Sequence, residues 1–390
     1  MKVIKCLFLV LAWVLILPLK GESNSSIILG IERMEEYLPL LKDKRVGVVG
    51  NQTSQLYKTH LVDTLLANGI KLVKIFSPEH GFRGTADAGE LVESQRDSKT
   101  NLPVVSLYGD NNKPTDKQLE DVDILLFDIQ DVGVRFYTYI STLHYVMEAA
   151  AELNIPLIVL DRPNPNGHYI DGPILEKKYQ SFVGMHPVPI VHGMTIGEYA
   201  QMINGEGWLG EKIKCDLKII ACENYNHQMD YKVPIAPSPN LPNMRSIYLY
   251  PYLCLFEGTV ISVGRGTDKP FQQIGNPELQ AYRYSFIPKS MEGAKSPKHM
   301  DERCFGIDFT AITENFFKSK GRLDLSYLIE LYENYPEKSE FFTNFFNLLA
   351  GNNSLQNDIK AKKTEVQIRK KWEKGLEDFK NIRNNYLLYP

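Results

Sequence analysis

The chain is short of cysteine, of net charge and of long apolar runs, and each shortage removes a class of protein. Five cysteines in 390 residues include no CxxC pair and no Cys/His spacing suited to zinc, so neither a zinc module nor a disulfide scaffold is expected. Lys and Arg number 44 against 47 Asp and Glu. The basic surplus with which nucleic-acid-binding proteins meet phosphates is missing. Neither the Gly264-Arg265-Gly266-Thr267-Asp268-Lys269 loop nor Gly47-Val48-Val49-Gly50 of the first strand fits GxGxxG or GxxxxGK[ST], and GxSxG and HExxH are absent, which argues against a nucleotide cofactor, a P-loop, a serine-hydrolase elbow and a zinc protease. No cofactor and no metal are expected.

One apolar run stands out, Cys6 to Leu19, with Lys2 and Lys5 before it and Lys20-Gly21-Glu22-Ser23 after it. It is shorter than the about 20 residues that span a bilayer. A basic start, a short apolar stretch and a polar exit read as a secretory signal over residues 1–22. The mature protein is therefore expected to be exported, periplasmic or extracellular, with no stable membrane insertion. Residues 1–20 hold three Lys and no acid, so without them the formal net charge moves from -3 to -6.

The rest of the chain exceeds what one hydrophobic core usually organises, so two domains are expected, over residues 23–230 and 231–390. Between about Arg45 and Ile220, apolar strands alternate with helical patterns, which reads as an α/β fold around a parallel sheet. The expected strands are 45–50, 71–76, 104–108, 123–128, 156–160 and 217–221, with helices over 60–68 and 140–153. Thr195, followed three residues later by Glu198, forms a capping box that opens another helix. The later region is rich in aromatics, with helices expected over 323–332 and 365–386.

In an open parallel sheet, ligands bind beyond the carboxyl ends of the strands. Here those ends carry Asn51 and Gln52, then Ser77-Pro78-Glu79-His80-Gly81-Phe82, then Asp128, Asp131, Arg135 and Tyr137, then Asp161, Arg162 and Asn164. Four strand ends deliver acids, amides and cations to one rim. His192, Asn240, Glu257 and Arg265 lie on later polar loops. Each has a plain structural explanation: Asp128 and Asp131 suit an ion network with Arg135, and Asp161 suits turn chemistry. Paired carboxylates in a polar, aromatic cleft are also the arrangement that glycosidases use. Tyr137, Tyr139, Tyr250 and Phe271 are candidates to stack on a sugar ring.

The ordered series Gly50-Asn51-Gln52-Thr53, Ser77-Pro78-Glu79-His80-Gly81, Asp128-Ile129-Gln130-Asp131-Val132-Gly133-Val134-Arg135, Asp161-Arg162-Pro163-Asn164-Pro165, His192-Gly193-Met194-Thr195, Pro237-Ser238-Pro239-Asn240 and Glu257-Gly258-Thr259 resembles the NamZ-type exo-β-N-acetylmuramidases. The closing stretch from Ile382-Arg383 to Tyr389-Pro390 resembles that family's C-terminus. The resemblance implies a Rossmann-like N-terminal domain, a smaller α/β C-terminal domain and an active-site cleft between them. It also implies release of β-linked N-acetylmuramic acid from the non-reducing end of muropeptides or disaccharides, with the family's proposed catalytic Glu falling on Glu79. On that basis Glu79 is expected as the acid, His80 as its orienter, and Asp128 or Asp131, or else Glu257, as the second carboxylate. Arg135, Arg162 and Arg265, then His192, are the cations expected to meet the lactyl carboxylate. Other readings are a non-catalytic exported muropeptide-binding protein and a metal-dependent phosphoesterase.

Overall fold

The computed structural model describes residues 26–79, 81–82, 95–109, 111–210 and 213–390. The expected export segment, residues 1–22, and His80 lie outside the described residues.

The chain runs through α1 (Met34–Leu41), β1 (Val46–Gly50), α2 (Leu61–Ala67), β2 (Leu72–Ser77), β3 (Gln95–Arg96), β4 (Pro103–Ser106) and β5 (Ile124–Asp128). It continues with α3 (Tyr139–Glu152), β6 (Leu157–Leu160), α4 (Ile196–Gly205) and β7 (Leu217–Ile220). One sheet collects these strands in the order β3-β4-β2-β1-β5-β6-β7. Only the short β3/β4 pair is antiparallel.

Both faces of the sheet are covered, and strand alternation decides which side chain goes where. Val46, Val48, Ile124, Leu126, Ile158 and Leu160 face a core shared with Tyr37, Leu61 and Leu65 of α1 and α2. Val49, Phe76, Leu125, Phe127, Leu157 and Val159 face the opposite core, with α3 and α4. That second core continues without a break into the later region, through Tyr250 and Phe271 to Trp372 and Phe379. Shared apolar packing thus joins the two regions.

Strand order reverses at β1, where the chain goes first towards β2 and β4 and then back to β5. The strand-end loops of β1 and β5 meet at this point: Ser54 Oγ donates to the Asp128 carbonyl, and Gln130 N donates to Thr53 Oγ1 at 3.0 Å.

The smaller second region starts with α5 (Met244–Leu253) and a 3-10 turn at Cys254–Gly258. A three-stranded antiparallel sheet follows, β8 (Gln273–Asn276), β9 (Tyr284–Phe286) and β10 (Cys304–Asp308), with β10 central. Helices α6 (Glu314–Lys320), α7 (Ser326–Asn334), α8 (Phe345–Ala350), α9 (Ser354–Lys360), α10 (Glu365–Lys370) and α11 (Glu373–Arg383) complete it.

Two expectations change. The helix placed at 323–332 starts at Ser326, because Asp324 Oδ1 accepts from both Ser326 N (2.9 Å) and Ser326 Oγ (2.6 Å) and holds the chain in a turn. The helix placed at 365–386 is two helices, α10 and α11, and the break between them carries Trp372 into the core. The capping box of α4 is present as expected, with Thr195 N donating to Glu198 Oε2 and Glu198 N to Thr195 Oγ1. Cys215, Cys222, Cys254 and Cys304 are buried and unpaired. Among the described residues no helix is long and apolar enough to cross a membrane, and no group of three or more His, Cys, Asp and Glu side chains could hold a metal.

Candidate active site

A cavity of about 470 Å³ opens between the loop after β2, the start of α3 and the second region. Among the described residues its acidic lining is Glu79 and Glu257, and its cations are Arg265 and Lys298. Tyr108, Phe136, Phe182, Tyr250 and Phe345 supply aromatic surface. A cleft of a few hundred Å³ with apolar walls and few polar groups is the usual form of a small-molecule site. A smaller space of about 40 Å³ shares Glu79, Phe136, Thr138, Tyr250 and Arg265 with it and adds Ser238, Asn240 and Phe271.

Glu79 owes its place to the sheet. Strand β2 ends at Ser77, Pro78 fixes the next backbone angle, and Gly81 turns the chain at φ 74°, where Gly81 N donates to the Pro78 carbonyl at 3.1 Å. The left-handed conformation at Gly81 costs a Cβ-bearing residue more than glycine. Thr138, the N-cap residue of α3, donates its hydroxyl to Glu79 Oε2 at 3.0 Å.

The opposite wall is built from one ion pair. Arg265 Nε donates to Glu257 Oε1 at 2.7 Å and Nη2 to Oε2 at 3.2 Å. The guanidinium lies 4.9 Å from the centroid of Phe271. Glycines at positive φ flank it, Gly264 (78°) and Gly266 (77°). Added Cβ atoms there would meet the Lys269 carbonyl at 2.8 Å and the Lys289 carbonyl at 2.5 Å. Clamped on one edge and one face, Arg265 keeps its buried Nη1 without a hydrogen-bond partner among the described residues. Lys298 Nζ reaches the carbonyls of Thr259, Ile261 (3.2 Å) and Glu257 (3.4 Å). Burial pulls its ammonium down to about 8.

A polar brace ties the end of the first strand to the segment that leads into the second region. Asn51 Nδ2 donates to the Tyr139 hydroxyl at 3.0 Å, which donates to the Pro237 carbonyl at 2.9 Å. Gln52 Nε2 donates to the Ala236 and Pro237 carbonyls at 3.0 and 3.1 Å. Asn51 and Gln52 therefore support the cleft wall.

The family described as "Exo-beta-N-acetylmuramidase NamZ, N-terminal" matches residues 46–245, and its C-terminal counterpart matches residues 248–389. The chain belongs to the NamZ family. The peptidoglycan beta-N-acetylmuramidase NamZ of Bacillus subtilis (strain 168) is 42% identical over 377 residues, covering 91% of this chain and 89% of that protein. Crystal structures of two DUF1343 family proteins from Bacteroides fragilis share the fold. One is 47% identical with a TM-score of 0.87, over 94% of this chain and 99% of the other. The second is 31% identical with a TM-score of 0.79, over 93% and 99%.

Within this NamZ-family site, the residues singled out in sequence separate into two groups. Glu79, Glu257, Arg265 and Tyr250 line the main cavity, and Tyr137, Tyr139, Asn240 and Phe271 line the smaller one. The others are held elsewhere. Asp128 is fully buried against Arg162, with Nε–Oδ1 2.6 Å and Nη2–Oδ2 2.9 Å. The expected network of Asp128 and Asp131 with Arg135 does not form. Arg135 instead spends its guanidinium on the carbonyls of Pro173, Val188 and Leu349. Asp131 accepts from Gly133 N at 2.6 Å, and burial pushes its carboxyl up to about 7. Asp161 accepts from Arg162 N, Gly197 N, Thr195 Oγ1 and the Tyr389 hydroxyl, which anchors the start of α4 and the C-terminus. Asn164 accepts from Asn166 N within its own loop and donates through Nδ2 to the Met194 carbonyl, tying that loop to the segment before α4. His192 is buried, accepts from Met194 N at 3.3 Å and is pushed down to about 3 by burial. Charged side chains so enclosed serve their own partners before any ligand.

Lys298 and Thr138 were not singled out. Thr138 was one residue of an apolar stretch, and Lys298 sits in a loop with no motif around it. The indication that did exist was position: Thr138 immediately precedes a helix that begins at a strand-end rim.

Proposed function

We propose that this chain hydrolyses the terminal β-linked N-acetylmuramic acid from the non-reducing end of peptidoglycan fragments, with Glu79 as the general acid. The observation that carries the assignment is the pairing of Glu79 with Glu257, the other carboxylate among the described residues on the walls of one cavity. Two carboxyl groups flanking the scissile bond are the arrangement most glycoside hydrolases use. The name of the Bacillus subtilis relative supplies the sugar and the linkage.

In this reading Glu79 gives its proton to the glycosidic oxygen as the C1–O bond breaks. The remaining glycan leaves as an alcohol. Positive charge develops at C1 and the ring oxygen, and Glu257, fixed in orientation by Arg265, faces that charge from the other wall. Water completes the reaction at C1 and returns a proton, leaving free N-acetylmuramic acid. The aromatic walls exclude bulk water and offer apolar faces to the sugar ring. The basic, apolar and polar order of residues 1–22, together with a substrate found in the cell envelope, supports export of the enzyme.

Incubation of the purified protein with the disaccharide of N-acetylmuramic acid β-linked to N-acetylglucosamine tests this. Free N-acetylmuramic acid is the expected product. Tight binding without any product would overturn the assignment.

A further inference from the structure

We infer that Arg265 and Lys298 form the subsite that recognises the lactyl carboxylate of N-acetylmuramic acid and so distinguish it from N-acetylglucosamine. The inference rests on the muramidase reading above and assigns its sugar specificity to named groups.

N-acetylmuramic acid differs from N-acetylglucosamine by a lactyl ether on O3, whose carboxylate is its only charge. C3 stands two ring atoms from C1, so the groups that act at C1 and the group that holds the lactyl arm must share one cavity. The sequence offered three arginines for that task. Arg162 is consumed by Asp128 and Arg135 by three backbone carbonyls, and both are buried. Arg265 lines the same two spaces as Glu79.

Its geometry suits the task. Glu257 occupies Nε and Nη2, Phe271 covers one face, and Nη1 is left buried and unpartnered. A buried donor without an acceptor is destabilising, a cost that an incoming carboxylate oxygen removes. Because Arg265 is already neutralised by Glu257, a second cation is needed to balance the ligand's charge. Lys298 is that cation. Its Nζ is held by carbonyl oxygens of the Phe256–Ile261 stretch, and it lines the cavity beside Arg265. The charged groups acting on it are Glu257 and Arg265, while burial disfavours its ammonium form. A carboxylate placed beside it favours the charged form. Ile261 and Val263 on the same wall give the lactyl methyl group an apolar contact.

Competitive inhibition by free N-acetylmuramic acid, by its neutral lactyl amide and by N-acetylglucosamine tests the subsite without altering the protein. The wild-type enzyme should bind the acid at least tenfold more tightly than the amide. In Arg265→Gln and in Lys298→Met that acid-over-amide ratio should collapse towards one, while inhibition by N-acetylglucosamine stays the same. Arg265→Lys, which keeps the charge and loses the fork, should retain part of the ratio and covers the case in which Arg265→Gln fails to fold. Equal binding of acid and amide by wild-type enzyme that still hydrolyses the disaccharide overturns the subsite alone. A wild-type ratio preserved in the Arg265 variants overturns it as well. A wild-type enzyme that releases no N-acetylmuramic acid from the disaccharide overturns the functional reading instead.

Discussion

Asp128 and Arg162 form a bidentate ion pair inside the first domain, with side-chain exposures of 0% and 2%. The pair joins the end of β5 to the loop after β6. Removing one member of such a pair leaves an uncompensated buried charge, which costs about 3–5 kcal/mol. Arg162→Met should therefore lower the unfolding free energy by that amount in urea titration. Asp128→Leu combined with Arg162→Met should lose less than the two single variants together. A change below about 1 kcal/mol in Arg162→Met would show that the pair contributes nothing to the fold.

Asp131 makes a pH-dependent contribution of the opposite kind from most carboxylates. Burial pushes its carboxyl up to about 7 from 3.8, opposed by the Gly133 and Val132 amides, and Oδ1 has no hydrogen-bond partner among the described residues. The folded chain thus keeps a proton that the unfolded chain releases. Its contribution to stability is fully present below about pH 4 and is lost as pH climbs through about 7. Asp131→Asn keeps an acceptor for Gly133 N and has no charge to bury. The variant should melt above wild type at pH 8, by on the order of a few kcal/mol in unfolding free energy, and the difference should vanish near pH 4. Thermal melts at the two pH values decide it, and a difference that grows on acidification would refute the assignment.

The sheet was legible because strands buried on both faces are near-continuous apolar runs, as in Ile124-Leu125-Leu126-Phe127, and because a Thr with Glu three residues on marks a helix start. Glu79 was legible for a related reason, since strand ends in such sheets converge on one rim. What the rim residues do there was not legible. Asp128, Arg162 and Arg135 have the composition of a ligand site, yet burial commits them to each other or to backbone carbonyls, and no spacing rule reports burial. Lys298 illustrates the converse. It reaches the cavity from a loop more than two hundred residues beyond Glu79 in sequence, and only tertiary packing sets it beside Arg265. The split between α10 and α11 likewise follows from where Trp372 packs, which local helical pattern does not encode.

The C-terminal residues belong to the first domain's structure. Tyr389 accepts from Cys222 N at 2.8 Å and donates to Asp161 Oδ2 at 2.6 Å, while Glu198 Oε1 accepts from Leu388 N and Tyr389 N. Tyr389→Phe removes the hydroxyl and leaves a buried amide unpaired, at a cost of about 1–3 kcal/mol. A lower melting temperature with an unchanged KM for the disaccharide is the expected outcome. An unaltered melting temperature would mean that the tail docks through apolar contacts alone.

The role of Glu79 is separable from that of Glu257 by the leaving group. A general acid contributes most when the departing oxygen is a poor leaving group, and typically about 10²–10⁴-fold. Glu79→Gln keeps the size of the side chain and an oxygen that can accept from Thr138 Oγ1, so the fold should be preserved. Hydrolysis of the natural disaccharide, whose leaving group is a sugar alcohol, should fall by that factor. A nitrophenyl β-N-acetylmuraminide leaves as a stabilised phenolate and needs little protonation, so its bond cleavage should fall far less. Glu257→Gln should slow both substrates alike, because charge develops at C1 whichever group departs. Measuring kcat/KM for both substrates in both variants gives the comparison. Equal losses on the two substrates in Glu79→Gln would remove Glu79 from the acid role, and a leaving-group-dependent loss in Glu257→Gln would move that role to Glu257.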